Sequence, residues 1–164
     1  MKGMRNNLDQ MIKMNNKMKQ LFETQNPDEI SDQISPEIDI IVGRIVEKTR
    51  LVKDCVIFDE DESLDEKQID FHVVMKFVGD WTGYEVSCNE LKFSLAEIPV
   101  NQFLNFIEIM NFSLSQRYKK RKFVIILWVC DGEIDLRFHT YRKNEGLWLD
   151  EDLDQYPNPI LYWI

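Results

Sequence analysis

Residues 123–130 (Phe-Val-Ile-Ile-Leu-Trp-Val-Cys) are apolar without a break and run straight into Asp131-Gly132. No other segment restricts the fold so strongly. An uninterrupted apolar run of this length predicts a central strand covered on both faces. Asp-Gly predicts a type I′ hairpin turn, because both central positions of that turn need positive φ. The return strand then places Ile134, Leu136 and Phe138 inward, and Glu133, Asp135, Arg137 and His139 outward. Such a hairpin needs further strands beside it and helices over it.

The flanking patterns supply both. Ser35-Pro36-Glu37 reads as a capped helix start, and Ile38, Ile41, Val42, Ile45 and Val46 give the helix an apolar face over about 36–50. Pro99 opens a second helix to about 118, with Phe103, Leu104, Phe106, Ile107, Met110 and Leu114 spread widely enough that more than one face must be covered. Residues 51–58 are rich in strand formers. In 69–78, Phe71, Val73, Met75 and Phe77 alternate with Asp70, His72, Val74 and Lys76, which predicts a half-buried antiparallel strand. Tyr84, Val86 and Cys88 begin another strand pattern, which changes phase to Leu91, Phe93 and Leu95 through a bulge at Asn89-Glu90. Tyr156-Pro157-Asn158-Pro159 bars helix ahead of Ile160–Ile164, an apolar segment expected to dock as an edge strand or extended tail. At the other end, Met4, Leu8, Met11, Met18 and Phe22 form a helical stripe over about 5–24, broken at Asn15. Asn26-Pro27 reads as a further helix start, and Pro27 to Ser35 as a hinge. The expectation is an α+β fold with a mostly antiparallel sheet of five or six strands covered by two helices. Residues 1–26 form an N-terminal amphipathic helical arm, and 27–164 a single domain.

Charge then limits the partner. The chain carries 29 Asp and Glu against 20 Lys and Arg, a net charge of −9. Residues 1–20 hold +4, from Lys2, Arg5, Lys13, Lys17 and Lys19 against Asp9, which leaves −13 for the remainder. A body of that charge repels nucleic acid and anionic lipid and speeds encounter with basic proteins. The polar N-terminus and the lack of any ~20-residue apolar stretch predict a cytoplasmic protein without a membrane span. The basic run Arg117, Lys119, Lys120, Arg121, Lys122 follows the second helix and reads as compensation of its negative end rather than as a nucleic-acid site.

Catalytic and cofactor motifs are missing. There is no HExxH, CxxC, EF-hand loop, GxGxxG or Walker loop, so no cofactor or metal is expected. Cys55, Cys88 and Cys130 have no metal or redox spacing and read as structural thiols; His72 and His139 fall on polar strand faces, away from the inward Cys88. The residues left for function are surface acids and aromatics. Asp59, Glu60, Asp61, Glu62, Asp65 and Glu66 form one acidic loop, Asp131, Glu133 and Asp135 a hairpin cluster, and Asp150, Glu151, Asp152 and Asp154 a third group. Rimmed by Trp81, Tyr141 and Trp148, these are the expected partner-binding residues, since buried aromatics within complementary charge characterise tight protein interfaces.

The order helix, three strands, long helix, Asp-Gly hairpin, and then the acidic tail Leu147-Trp148-Leu149-Asp150-Glu151-Asp152-Leu153 resembles the small immunity proteins of bacterial polymorphic toxins. The likeness spans about residues 36–155 and is nearest to the inhibitors paired with type VII-secreted, LXG-type nuclease toxins. The resemblance implies a non-enzymatic protein that occludes the active site of a cognate, basic, nuclease-like toxin. The alternative is a dimeric adaptor or secretion chaperone, with a homodimer formed through the N-terminal helix. A small enzyme built on surface carboxylates comes third.

Overall fold

The computed structural model describes residues 11–25 and 34–164. In chain order the elements are β1 (Ile12–Met14), α1 (Asn16–Glu23), α2 (Pro36–Glu47), β2 (Thr49–Val52), β3 (Cys55–Phe58), α3 (Phe71–Val78), α4 (Trp81–Cys88), β4 (Glu90–Ser94), α5 (Phe103–Arg117), β5 (Phe123–Cys130), β6 (Glu133–Thr140) and β7 (Ile160–Trp163). Five strands form one antiparallel sheet in the order β1-β7-β5-β6-β4, with β5 at its centre. β2 and β3 form a separate two-stranded hairpin.

The Asp131-Gly132 turn forms as its chemistry dictates. Asp131 has φ 52° and Gly132 φ 80°, and Cys130 pairs with Glu133 across the turn. On one face of the sheet, Ile125, Leu127, Ile134, Leu136, Phe138 and Leu161 pack in a single core with α2 (Ile38, Val42, Ile45), α5 (Phe103, Phe106, Ile107, Met110, Leu114) and Met18 of α1. Ser35 caps α2 by accepting from the Ile38 amide, and Pro36 fills the first turn, where no backbone donor is needed. The opposite face is covered too. Val124, Ile126, Ile160 and Tyr162 pack against Leu149 and Leu153 from the segment that crosses between β6 and β7. The outward assignment of two residues is thereby corrected, because Asp135 and His139 stand on this face opposite Trp128 and Val124 and are buried.

Several elements differ from the sequence expectation. Residues 71–78, expected as a strand, are the helix α3. Asp70 accepts from the Val73 amide at its start, and Phe71, Val74, Met75 and Val78, spaced at 3-1-3, pack into a third apolar cluster while Phe77 faces solvent. An almost wholly apolar octet satisfies a two-residue and a 3.6-residue period alike, and here the cap decides. Tyr84, Val86 and Cys88 likewise belong to a helix, α4, capped by Asp80 accepting from the Gly83 amide. The change of phase at Asn89-Glu90 is therefore the end of that helix rather than a bulge. Gly83 is required for space, since a Cβ there would lie 2.7 Å from the Val78 carbonyl oxygen. The described residues hold five α-helices, where two covering helices and an N-terminal one were expected.

The N-terminal stripe is not one continuous helix. Residues 12–14 are a strand paired with β7, Ile12 opposite Trp163, and the helix begins only at Asn16. Asn15, the position that interrupts the stripe, makes the break. Its buried Oδ1 accepts from the Met18 amide at 2.9 Å and the Ile160 amide at 3.1 Å, and its Nδ2 donates to the Asn158 carbonyl at 2.8 Å. Met18 is spent on the core of the same chain, with Ile12, Met14 and Phe22 packed against it. Ile160–Trp163, expected at an edge, is an interior strand between β1 and β5. The proposed helix start at Asn26-Pro27, most of the 27–35 hinge and residues 1–10 lie outside the described residues.

Candidate functional site

Register places one set of side chains on the second sheet face beyond the covering segment. Trp128 of β5 pairs with Asp135 of β6, Ile126 with Arg137, and Cys130 with Glu133, while Lys92 of β4 stands opposite Asp135. The covering segment lays Trp148 nearly parallel to Trp128, with ring centroids 6.3 Å apart and planes 16° from parallel. The Arg137 guanidinium lies 5.3 Å from the Trp128 ring and 5.5 Å from the Trp148 ring. It is fixed there by Glu90 at 2.9 Å and Asp135 at 3.3 Å. Trp128, Trp148, Leu149, Tyr156, Pro157 and Ile160 line an apolar groove of about 160 Å³. That is room for about one large side chain. Trp148 is 42% exposed at its mouth, and the Tyr156 hydroxyl at its wall accepts from the Asp150 amide at 3.1 Å.

The expected partner-binding residues separate into distinct places. Glu133 and Asp135 share the sheet face of Trp128, Asp131 is at the turn beside them, and Asp150 continues the chain from Trp148 and Leu149. Glu151 and Asp152 follow it and are exposed. Asp154 is tied down, accepting from the Asn16 amide and side chain. The 59–66 loop lies elsewhere, against the domain's own bases. Glu60 pairs with Arg44, Glu62 with Lys48 at 2.6 Å, and Glu66 with Lys53 at 3.3 Å. Asp59 is buried, holding Arg50 and the Ser63 and Leu64 amides. Asp65 caps a short 3₁₀ turn, and Asp61 is exposed. Trp81 packs with Phe71 and Tyr84 in the third cluster, and Tyr141 lines a separate basic groove. Trp128 and Arg137 were not singled out in the sequence; alternation on β6 put Arg137 outward but could not show what it meets.

A buried polar centre joins α4, β3 and β6. The Glu85 carboxylate has no exposure and accepts from the Val56 amide at 2.7 Å, the Thr140 amide and hydroxyl at 2.9 Å, and Arg142 at 2.7 Å. Burial pushes this carboxyl above its usual range, and the Arg142 charge and the amide donors oppose the shift. The Arg142 guanidinium also donates to the carbonyls of Thr140 and Asp54. None of the three thiols is favoured as thiolate. Burial, then the Glu85 charge, pushes Cys55 up to about 12; burial raises Cys88; and the neighbouring Asp131 raises Cys130. Among the described residues, no group of three or more His, Cys, Asp and Glu is placed to hold a metal ion. Nor is any helix long and apolar enough to cross a membrane.

His139, fully buried next to this centre, gives a pH-dependent expectation. Its Nδ1 lies 2.9 Å from the Thr140 carbonyl, its Nε2 has no hydrogen-bond partner, and burial lowers its pKa to about 4. A histidine that titrates near 6.5 when unfolded but near 4 when folded stabilises fully above pH 6.5 and loses that contribution as pH falls towards 4. Between pH 7.5 and 4.5 the loss is on the order of 2–3 kcal/mol. Urea denaturation of wild type and His139→Gln at both pH values measures it, and equal pH slopes for the two proteins would show that His139 is not the group responsible.

Taken together, the elements define an α+β protein built on a five-stranded antiparallel sheet with five helices among its described residues. By sequence the chain belongs to the Uncharacterized protein PM0498 family, whose family model matches residues 13–163. No curated protein and no solved structure matches it.

Proposed function

We propose that this chain is a non-enzymatic, cytoplasmic protein-binding module: an immunity protein that neutralises a cognate basic, nuclease-like bacterial toxin by occluding its active site. The observation that carries the reading is Trp148, half-exposed over an apolar groove, with Asp131 and Glu133 on the hairpin side and Asp150, Glu151 and Asp152 on the other. An aromatic anchor beside an apolar groove supplies affinity, and surrounding acids steer a basic partner. The net charge of −9 acts in the same direction. The internal pairing of the 59–66 loop moves weight from that loop to the hairpin and 150–152 clusters.

The test is affinity capture of the partner from the native cell with mass spectrometry, then inhibition of the captured protein's nuclease activity and binding kinetics on the purified pair. Trp148→Ala is expected to raise the off-rate roughly 30-fold, as for an anchor contributing about 2 kcal/mol. Reversal of Asp150, Glu151 and Asp152 to Lys should slow association, with the difference shrinking as salt rises. A nuclease fully active in excess of this protein would refute the reading.

A further inference from the structure

We propose that the basic groove between the α5–β5 turn and the end of β6 binds a phosphate-bearing small anion. The groove is lined by Lys119, Lys120, Arg121, Lys122 and Arg142, with Asp54 as its one acid, and has a volume of about 530 Å³. A helix end carries about half a unit of negative charge, which one base satisfies; four consecutive bases exceed that need. Arg121 is paired to Asp54 at 2.8 Å, but among the described residues no acid lies within ion-pair distance of Lys119, Lys120 or Lys122. Below them, Arg142 is more than nine-tenths buried, yet its Nε has no hydrogen-bond partner. The carboxylates of Asp54 and Glu145 lie 3.8 Å and 4.0 Å from that nitrogen.

The charge count sets the ligand class. Three unpaired ammonium groups, beside the guanidinium groups of Arg121 and Arg142 that Asp54 and Glu85 already neutralise, suit a dianion better than a single carboxylate, and the groove has room for the group that a phosphate esterifies. A long polyanion is disfavoured, because it extends over an acidic body, whereas a compact anion feels charges within a Debye length of about 8 Å. Asp54, its side chain 67% exposed, lines the groove and pairs with Arg121 as an internal competitor. Its hold on Arg142 runs through the backbone carbonyl, so the side chain can be changed without breaking that bond. The site shares no lining residue with the Trp148 groove, and the proposal does not rest on the toxin-binding reading.

The test is a titration of the full chain followed by amide chemical shifts, with inorganic phosphate, glycerol 3-phosphate and a short single-stranded RNA as separate probes, against chloride at matched ionic strength. Phosphate and its ester are expected to give saturable shifts at residues 119–122 and 140–142 that chloride does not. Changing Lys119, Lys120 and Lys122 together to Gln should weaken binding about tenfold. Asp54→Asn should tighten it about threefold by removing the competing charge. All four side chains are exposed, and an unchanged spectrum elsewhere verifies the fold. Shifts linear in salt, the same response in the triple variant, or RNA binding more tightly than either phosphate would overturn the assignment.

Discussion

Arg142→Ala is expected to destabilise the protein by about 3–5 kcal/mol at neutral pH, the cost of stranding a buried carboxylate without its counter-charge. Glu85 has no exposure, and its other partners, the Val56 amide and the Thr140 amide and hydroxyl, are neutral donors that cannot replace a guanidinium. The pH dependence has a definite sign. Burial already raises the Glu85 carboxyl, and a group raised in the folded state stabilises below its unfolded value and loses that contribution as pH rises through the folded one. The variant should therefore be closer to wild type at pH 4.5 than at pH 7.5. Combining Arg142→Met with Glu85→Gln, which removes the charge but keeps an acceptor for the Val56 amide, should recover much of the loss. Urea denaturation of wild type, Arg142→Met, Glu85→Gln and the double variant in a double-mutant cycle measures the coupling. A near-zero cost for Arg142→Ala alone would mean that solvent reaches Glu85.

Removing residues 160–164 is expected to abolish cooperative folding. Ile160, Leu161, Tyr162 and Trp163 are all buried, and burying four such side chains is worth roughly 6–12 kcal/mol, as much as the 5–15 kcal/mol by which a whole domain is stable. The truncation also strips hydrogen-bond partners from β1 and from β5, the central strand. Thermal melting by circular dichroism and limited proteolysis should show a broad transition and rapid cleavage. A sharp melt would place the segment at the edge after all.

How much was legible depended on how many independent signals met at each residue. Asp131-Gly132 combined turn chemistry with an apolar run on one side and alternation on the other, and the hairpin has the expected register. Pro36 and Ser35 marked a helix start that the structure keeps. Over 71–88 the signals conflicted. Apolar alternation favoured a strand, Asp70 and Asp80 were unread caps, and the caps prevailed because each satisfies an amide that a strand would have paired elsewhere. Asn15 was visible only as a gap in a stripe, since its partners lie across the fold at Ile160 and Asn158. At the candidate site, Trp148 and its neighbouring acids could be read from composition. Trp128 and Arg137 could not, because their meeting with Trp148 depends on a crossing segment whose path no local pattern encodes. The Glu85–Arg142 pair joins residues 57 apart, and neither stands in a recognisable motif.

The pairing of β1 with β7 also bears on how the chain finds its structure. Asn15 bonds to Ile160 across 145 residues, and closing a loop of that length costs roughly 4 kcal/mol of chain entropy before any contact compensates it. The β5–β6 hairpin, joined through Asp131-Gly132, carries almost none of that cost. Assembly is therefore expected to start from the centre of the sheet and to end at its β1–β7 margin, with the search for the partner from the far end of the sequence as its slow step.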